Sequence, residues 1–306
     1  MSDPLSGVWS AAVTPLNNDL TVNLAAMVAH HKWLLANGCN GVAVLGTTGE
    51  ANSFSVPERL DVIAAAAASG IAKEQLLIGT GCCAPTDTIE LTRAALDAGF
   101  NQVLMLPPFY YKGVSDDGLF AAFDHVIQQL ADDRLAIVIY DFPLMTGLDM
   151  SVDLLVRLNK AFPNTVVGVK DSSGNWPAMQ AVIEAIPGFR TFAGTEQYLL
   201  ADLQAGGAGC ITATGNATSN LCQAVYAAHQ AGDTAGAEAA QEIATATRLM
   251  LQAHGTVPAM KELMAQNSLN PAWRNMRPPI MPLSAEGVAA LDKACQDMGF
   301  RLAEAA

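Results

Sequence analysis

Short apolar runs rich in Val, Ile and Leu recur along the chain and stop at Gly, Pro, Thr or a charged residue. Eight of them read as strands, at 7–15, 41–46, 76–80, 102–107, 136–143, 166–171, 190–194 and 208–214. Ala-rich segments with helical periodicity lie between them. Pro57-Glu58 opens one such helix at its first turn, and Gly70 and Gly99 close two others. The strand runs are near-continuously apolar rather than alternating, the pattern of a sheet covered on both faces.

Eight strand–helix units, repeating every ~20 to 35 residues, predict a (β/α)8 TIM barrel of about 250 residues. The barrel spans 1–232, with its eighth helix ending near Gly232. Residues 233–306 read as a C-terminal appendage of three helices, interrupted by Pro258, Pro271, Pro278, Pro279 and Pro282, and not as an independent domain. A doubly wound open sheet shares the βα alternation. Eight units without a topological break favour the barrel.

Composition narrows the function classes. Of 306 residues, 51% are hydrophobic and only 15% charged, against about 25% charged in ordinary soluble domains. Disorder is excluded, because disordered chains are poor in apolar residues. A small disulfide scaffold is excluded as well, since a chain this long buries roughly 75% of its unfolded surface. So little charge leaves too few polar groups to cover every exposed face, and a large intersubunit interface is one way to resolve the shortage. Sixteen Lys and Arg against 29 Asp and Glu give a net charge of −13. That lacks the basic footprint of a nucleic-acid-binding protein and any basic amphipathic stretch for an anionic membrane. Met1-Ser2-Asp3-Pro4 lacks the positive start and apolar core of a signal peptide, and the apolar stretch 62–68 is too short to span a bilayer. The cysteines at 39, 82, 83, 210, 222 and 295 show no CxxC pair or zinc spacing. Adjacent Cys82 and Cys83 would form a strained bridge, so reduced thiols in the cytoplasm are expected.

Gly79-Thr80-Gly81-Cys82-Cys83-Ala84 matches a GxGxxA dinucleotide fingerprint. That motif needs an acid at the end of the next strand to hold the ribose, and the next strand ends Met105-Leu106-Pro107-Pro108. Nicotinamide and flavin binding are therefore not expected. In a barrel the active site lies at the C-terminal strand ends. None of His30, His31, His125, His229 and His254 ends a strand, which weakens a metal-dependent reading.

Lysine behaves differently. Lys32, Lys73, Lys112, Lys160, Lys261 and Lys293 fall on helices or in connections, and only Lys170 ends an apolar strand, Val166-Val167-Gly168-Val169-Lys170. Burial favours the neutral form of a lysine, and a free amine attacks a ketone to form a Schiff base. The bland alternative is an ion pair with Asp171, although strand alternation points neighbours to opposite faces. Gly46-Thr47-Thr48-Gly49-Glu50 leaves the second strand, and its hydroxyls and backbone N–H groups can cradle an anion or cap the next helix. Tyr140, closing the fifth strand, can relay a proton if it lies near the amine, or be a core residue.

The order GTTGE, YxxP (Tyr140 to Pro143) and VK (Val169-Lys170) resembles the dihydrodipicolinate synthase and N-acetylneuraminate lyase family. Gly194 in Phe192-Ala193-Gly194 and the run Gly207-Ala208-Gly209-Cys210-Ile211 extend the resemblance over roughly the whole chain. It implies a homotetrameric class I aldolase that binds pyruvate or another 2-oxo acid as a Schiff base, with no metal or separate cofactor. Under the resemblance Lys170 is the Schiff-base lysine, Tyr140 the proton shuttle and Thr47 the relay threonine. Thr48 belongs to the carboxylate pocket, and Gly194 and Ile211 stand beside the keto acid. Tyr111 matches a tyrosine that completes the relay in a neighbouring subunit; Tyr110 could occupy the same place.

The departures matter equally. The synthases' fifth-strand loop reads like YNxPxRTG, with an arginine for the second substrate's carboxylate, and here Met145 stands at that position. A charge-assisted hydrogen bond is worth ~1.5–3 kcal/mol. No other arginine ends a strand: Arg190 begins one, and Arg274 and Arg277 lie in the appendage. Thr195-Glu196-Gln197 lacks the Asp-Glu pair typical of the sialic-acid lyases. The rim is expected to offer Ser172, Ser173, Glu196, Thr212, Thr214 and Asn216, which suit hydroxyls better than a second carboxylate. The expected activity is cleavage or synthesis of a 2-keto-3-deoxy sugar acid or related 4-hydroxy-2-oxo acid. A dehydratase is the nearest rival, followed by dihydrodipicolinate synthase proper. A non-catalytic 2-oxo-acid-binding barrel and a metal-dependent hydrolase are the rivals of other classes.

Overall fold

The computed structural model describes residues 5–303, so the reading of residues 1–4 as lacking a leader lies outside the described residues. Among these, eight parallel strands close on themselves in sequence order, with the last pairing back onto the first. They are β1 (Gly7–Ala11), β2 (Gly41–Val44), β3 (Leu76–Gly79), β4 (Gln102–Met105), β5 (Ala136–Asp141), β6 (Val166–Asp171), β7 (Arg190–Ala193) and β8 (Gly209–Thr212). The helices of the same number follow: α1 (Leu24–Ala36), α2 (Val56–Ala68), α3 (Pro85–Asp97), α4 (Asp116–Leu130), α5 (Val152–Ala161), α6 (Trp176–Ala185), α7 (Leu199–Ala205) and α8 (Gly215–Gln230). The expected (β/α)8 barrel is what forms.

Alternation along the strands explains why they look uniformly apolar. Trp9, Leu77, Leu104, Val138, Phe192 and Ile211 fill the barrel interior. Their neighbours Val42, Ile78, Val103, Ile137 and Ile139 join the cluster beneath the helices. Both faces are dry, so neither tolerates a polar residue without a partner. Gly41 makes room for the interior: a Cβ there would come within 2.4 Å of the Trp9 ring. Most strands are shorter than their apolar runs. Leu45 is buried but has left-handed backbone (φ 60°), and the buried Val13 amide donates to the Asn216 side chain instead of a strand. Hydropathy reports burial, and the ladder stops where the backbone turns.

Local signals set the helix ends. Ser55 caps α2 in a capping box with Glu58, with Pro57 in the first turn, an arrangement worth ~1 kcal/mol. Gly70 (φ 77°) and Gly99 (φ 88°) follow α2 and α3 in the left-handed conformation. The appendage holds α9 (Thr234–Gln252), α10 (Thr256–Ser268) and α11 (Ala285–Met298). Pro258 does not interrupt a helix, as the sequence reading had it. It occupies the first turn of α10, where an N–H would have no intrahelical acceptor anyway. Cys222 and Val225 of α8 pack with Ala237 and Ala244 of α9 over Leu199 and Leu203. Fully buried Lys261 of α10 reaches Glu50 beside β2, which ties the appendage to the barrel's C-terminal face. No helix among the described residues is long and apolar enough to cross a membrane.

Candidate active site

β5 and β6 set the central pair. Tyr140 lies directly opposite Lys170 in the ladder, and Lys170 is opposite Phe192 of β7 on its other side. Tyr140 and Phe192 both face the interior, so Lys170 does too. Lys170 and Tyr140 are each 3% exposed. The Lys170 ammonium nitrogen lies 4.1 Å from the centroid of the Tyr140 ring, and the Tyr140 hydroxyl donates loosely to Thr47 Oγ1 at 3.4 Å.

Thr47 and Thr48 sit in the turn after β2. That turn runs between two non-glycine residues in left-handed backbone, Leu45 (φ 60°) and Glu50 (φ 58°), each costing ~1–3 kcal/mol. The turn is fixed from outside. Thr14 Oγ1 donates to the Gly49 carbonyl at 2.8 Å. The Glu50 carboxylate accepts from the Lys261 ammonium and, at 3.1 Å, from the Arg277 backbone N–H. Burial pulls the Lys261 pKa down, and the Glu50 charge beside it works the other way.

A cavity of about 360 Å³ opens over this group. Lys170, Tyr140, Thr47, Thr48 and Gly194 all line it, as do Ser172, Ser173, Gln197, Arg248 and Gln252. Gly194 is needed where β7 passes β6: a Cβ would fall 2.1 Å from Ser172 Oγ and 2.6 Å from the Asp171 carbonyl. Ile211 is fully buried in the same interior cluster as Tyr140, below the cavity wall. Tyr111 stands apart. It is 74% exposed, in edge contact with Tyr110 at 5.3 Å, and does not line this chain's own cavity.

Alternation removes Asp171 as a counter-ion for Lys170. Asp171 lies opposite Asp141 in the ladder, and both line a separate cavity of about 170 Å³ that Asp149 also lines. Burial, then Asp171 and Asp149, pushes the Asp141 pKa up to about 8, and burial raises Asp171 as well. Among the described residues Lys170 has no ion pair. It meets the aromatic face of Tyr140 instead.

Four of the six expected rim groups are not on the rim. Ser172 and Ser173 line the cavity. Glu196 is wholly buried, accepting from Thr212 Oγ1 at 2.5 Å, from Thr218 Oγ1 at 2.8 Å and from Thr214 Oγ1. Asn216 is buried as well. Its amide donates to the Ala11 carbonyl at 2.8 Å, and its oxygen accepts from the Val13 amide at 3.0 Å and contacts His30 Nε2 at 2.8 Å. Glu196 is thus satisfied by the threonines at and after β8, and Asn216 by the end of β1 and by His30, because a buried polar side chain must find a partner. Burial lowers His30 to about 4 and His31 to about 3, leaving both neutral at physiological pH, with neither on the cavity. All six cysteines are free thiols. No three His, Cys, Asp or Glu side chains among the described residues are placed to hold a metal ion.

The sequence reading missed Arg248. It belongs to α9, in the appendage, and with Lys170 supplies the only cations on the cavity wall among the described residues. Its signal was periodicity: Arg248 falls on the buried stripe of Ala244 and Leu251, at i+4 from one and i−3 from the other. An arginine on an otherwise apolar stripe has to be paired or used.

The sequence profile of the dihydrodipicolinate synthetase family matches residues 4–298. An uncharacterised DapA-like lyase of Chloroflexus aurantiacus is 36% identical over 293 residues, covering 95% of this chain and 96% of that one. A 4-hydroxy-tetrahydrodipicolinate synthase of Methanococcoides burtonii is 30% identical over 296 residues, covering 96% and 98%. Among solved structures, YagE of E. coli K12 is a prophage protein of the dihydrodipicolinic acid synthase family, determined in complex with pyruvate. It superposes with a TM-score of 0.89 at 25% identity, over 96% of this chain and 99% of that one.

Proposed function

This chain belongs to the dihydrodipicolinate synthetase family and is a carbon–carbon lyase of it; on that footing we propose that it works through an imine on Lys170. The 2-oxo acid is pyruvate or a close relative. The reaction is cleavage or synthesis of a 2-keto-3-deoxy sugar acid or related 4-hydroxy-2-oxo acid. One observation carries this reading. A buried lysine without a counter-ion lies 4.1 Å from the ring of a tyrosine whose hydroxyl meets Thr47, all on one cavity.

The steps follow from that arrangement. The substrate carboxylate takes the Thr48 hydroxyl and the backbone N–H groups of the turn after β2. The Lys170 amine attacks C2, the carbinolamine loses water, and a protonated imine forms. Tyr140, with Thr47 behind it, takes the proton from the C4 hydroxyl. The C3–C4 bond then breaks, its electron pair passing to C3 and into the imine, while C4 leaves as an aldehyde carbonyl. The resulting enamine takes a proton at C3, and water returns the 2-oxo acid and the free lysine. No dissociable cofactor is called for, because the imine is the electron sink. The exposed Tyr111 serves the relay of a neighbouring copy in a homotetramer, and the enzyme works in the cytoplasm, where its thiols stay reduced.

Met145 lines the cavity and presents a thioether where the synthases' loop pattern places arginine, so the loop contact through which the synthases hold the semialdehyde's carboxylate is absent, and a second acid would have to be met elsewhere on the wall. Dehydration from the same imine is the second reading, since loss of a hydroxyl as water uses the same electron sink.

Borohydride reduction in the presence of pyruvate, followed by peptide mass analysis, tests the proposal. A reduced pyruvyl adduct on the peptide carrying Lys170 is expected, and an unmodified Lys170 would overturn it. A trapped adduct without turnover of any keto-deoxy acid would point to a non-catalytic binder.

A further inference from the structure

We propose that Arg248 sets substrate specificity by holding a second carboxylate, at the end of the substrate beyond the bond that Lys170 activates. The inference rests on the imine reading above and adds the chemical class of the distal group: the substrate carries an acid at each end.

Arg248 is held through two of its three guanidinium nitrogens. Nη1 donates to Thr214 Oγ1 at 2.8 Å, to Thr212 Oγ1 at 3.1 Å and to Glu196 Oε2 at 3.3 Å, and Nε donates to Gln252 Oε1 at 3.1 Å. Among the described residues Nη2 has no acceptor. The guanidinium is thus fixed along two of its nitrogens, with the third left for a ligand in a cavity its side chain lines. A pinned donor loses little entropy on binding.

Glu196 offsets the charge but does not occupy the exposed edge. Its carboxylate is already met by three threonine hydroxyls, and it is wholly buried rather than on the cavity wall. No Asp or Glu lines the cavity, so nothing on the wall repels an anion. Lys170 becomes the imine in the reaction, and the first carboxylate is met by the turn at Thr47 and Thr48. Arg248 is then the one cation left for the rest of the substrate. Gln252, Ser172, Ser173 and Gln197 share the wall and offer hydrogen bonds to hydroxyls between the two ends. With Nη2 uncommitted, Arg248 offers two N–H groups and one positive charge, a match for a singly charged carboxylate rather than for a phosphate dianion.

The test compares aldehydes of equal length in the synthetic direction with pyruvate: succinic semialdehyde, which ends in a carboxylate, and butanal, which does not. Wild-type enzyme is expected to favour succinic semialdehyde in kcat/KM. Arg248→Met is expected to lower the ratio of the two kcat/KM values by about 10- to 200-fold, the range for loss of a charged hydrogen bond. Arg248→Lys keeps the charge without the planar fork and falls between. Arg248→Met also leaves Glu196 without its cation, so Glu196→Gln/Arg248→Met is measured beside it, and the same loss of ratio is expected. The proposal is overturned if both aldehydes lose rate in parallel, which is the signature of packing alone. It is also overturned if wild type accepts neither acceptor better than the other, or prefers glyceraldehyde 3-phosphate. Borohydride trapping with pyruvate runs alongside: absence of the Lys170 adduct in wild type defeats the imine reading, whereas an adduct with a flat aldehyde ratio defeats only the role of Arg248.

Discussion

Two lysines in this molecule are removed from water, and they have opposite surroundings. Lys261 is fully buried in the appendage, with its ammonium on the Glu50 carboxylate and the Asn275 carbonyl at 2.8 Å. Lys170 is 3% exposed at the end of β6, and its nearest notable neighbour is the face of a tyrosine ring. The first lysine spends two of its three N–H donors within the protein and fixes the turn that carries Thr47 and Thr48. The second has no carboxylate partner among the described residues and lines the cavity. Burial alone therefore does not mark a catalytic lysine. Burial beside a cavity without a carboxylate partner is what supports the proposed imine on Lys170.

The comparison breaks most sharply at Lys170. Lys170→Met is expected to lower turnover by at least about 10⁴-fold, because no other amine reaches the imine position. The same variant should unfold no earlier than wild type in guanidinium, since a buried amine without an ion-pair partner is replaced by an apolar chain of similar length. A marked loss of stability would show that Lys170 also has a structural role.

Lys261→Met should do the reverse. It strands the Glu50 carboxylate in a dry site, and breaking a buried pair costs about 3–5 kcal/mol. The denaturation midpoint is the primary readout, and Glu50→Gln in the same chain should recover part of the loss. If the midpoint stays put while turnover collapses, the division between the two lysines is wrong.

The smallest expected effect concerns the carboxyls at the ends of β5 and β6. Asp141 is raised from 3.8 to about 8, so over that window the folded protein binds a proton that the unfolded chain has released. Stability is then greatest at the acid end and falls as pH rises from about 4 to 8. Asp141→Asn, which needs no proton, should flatten that slope and raise stability at pH 8 by about 1–3 kcal/mol. Unfolding free energies at pH 5 and pH 8 check it, and a stability that rises with pH in wild type would contradict the assignment.

Much of the site was legible in the sequence because its residues end strands. Lys170 and Tyr140 stand out as polar side chains closing apolar runs, and the turn after β2 carries its own glycines and hydroxyls. The six rim groups were less legible for the same reason. Position past a strand end does not say whether a side chain turns toward the cavity, as Ser172 does, or under the helices, as Glu196 and Asn216 do. Arg248 was less legible because it ends no strand: α9 brings it in from the appendage.

Sequence by itself determined the period-two and period-3.6 patterns, and with them eight βα units, their order and the lysine at the end of the sixth strand. These are local properties, set by side-chain hydropathy and by Gly, Pro and Ser at element ends. Tertiary structure decided which polar groups meet. The Tyr140–Lys170 register depends on ladder pairing across two strands. The clamp of Lys261 on Glu50 joins residues 211 positions apart. The Arg248–Glu196 pair depends on α9 packing against the barrel. Contacts between residues so far apart carry no periodic signature in either segment, and only closure of the barrel and docking of the appendage fix them.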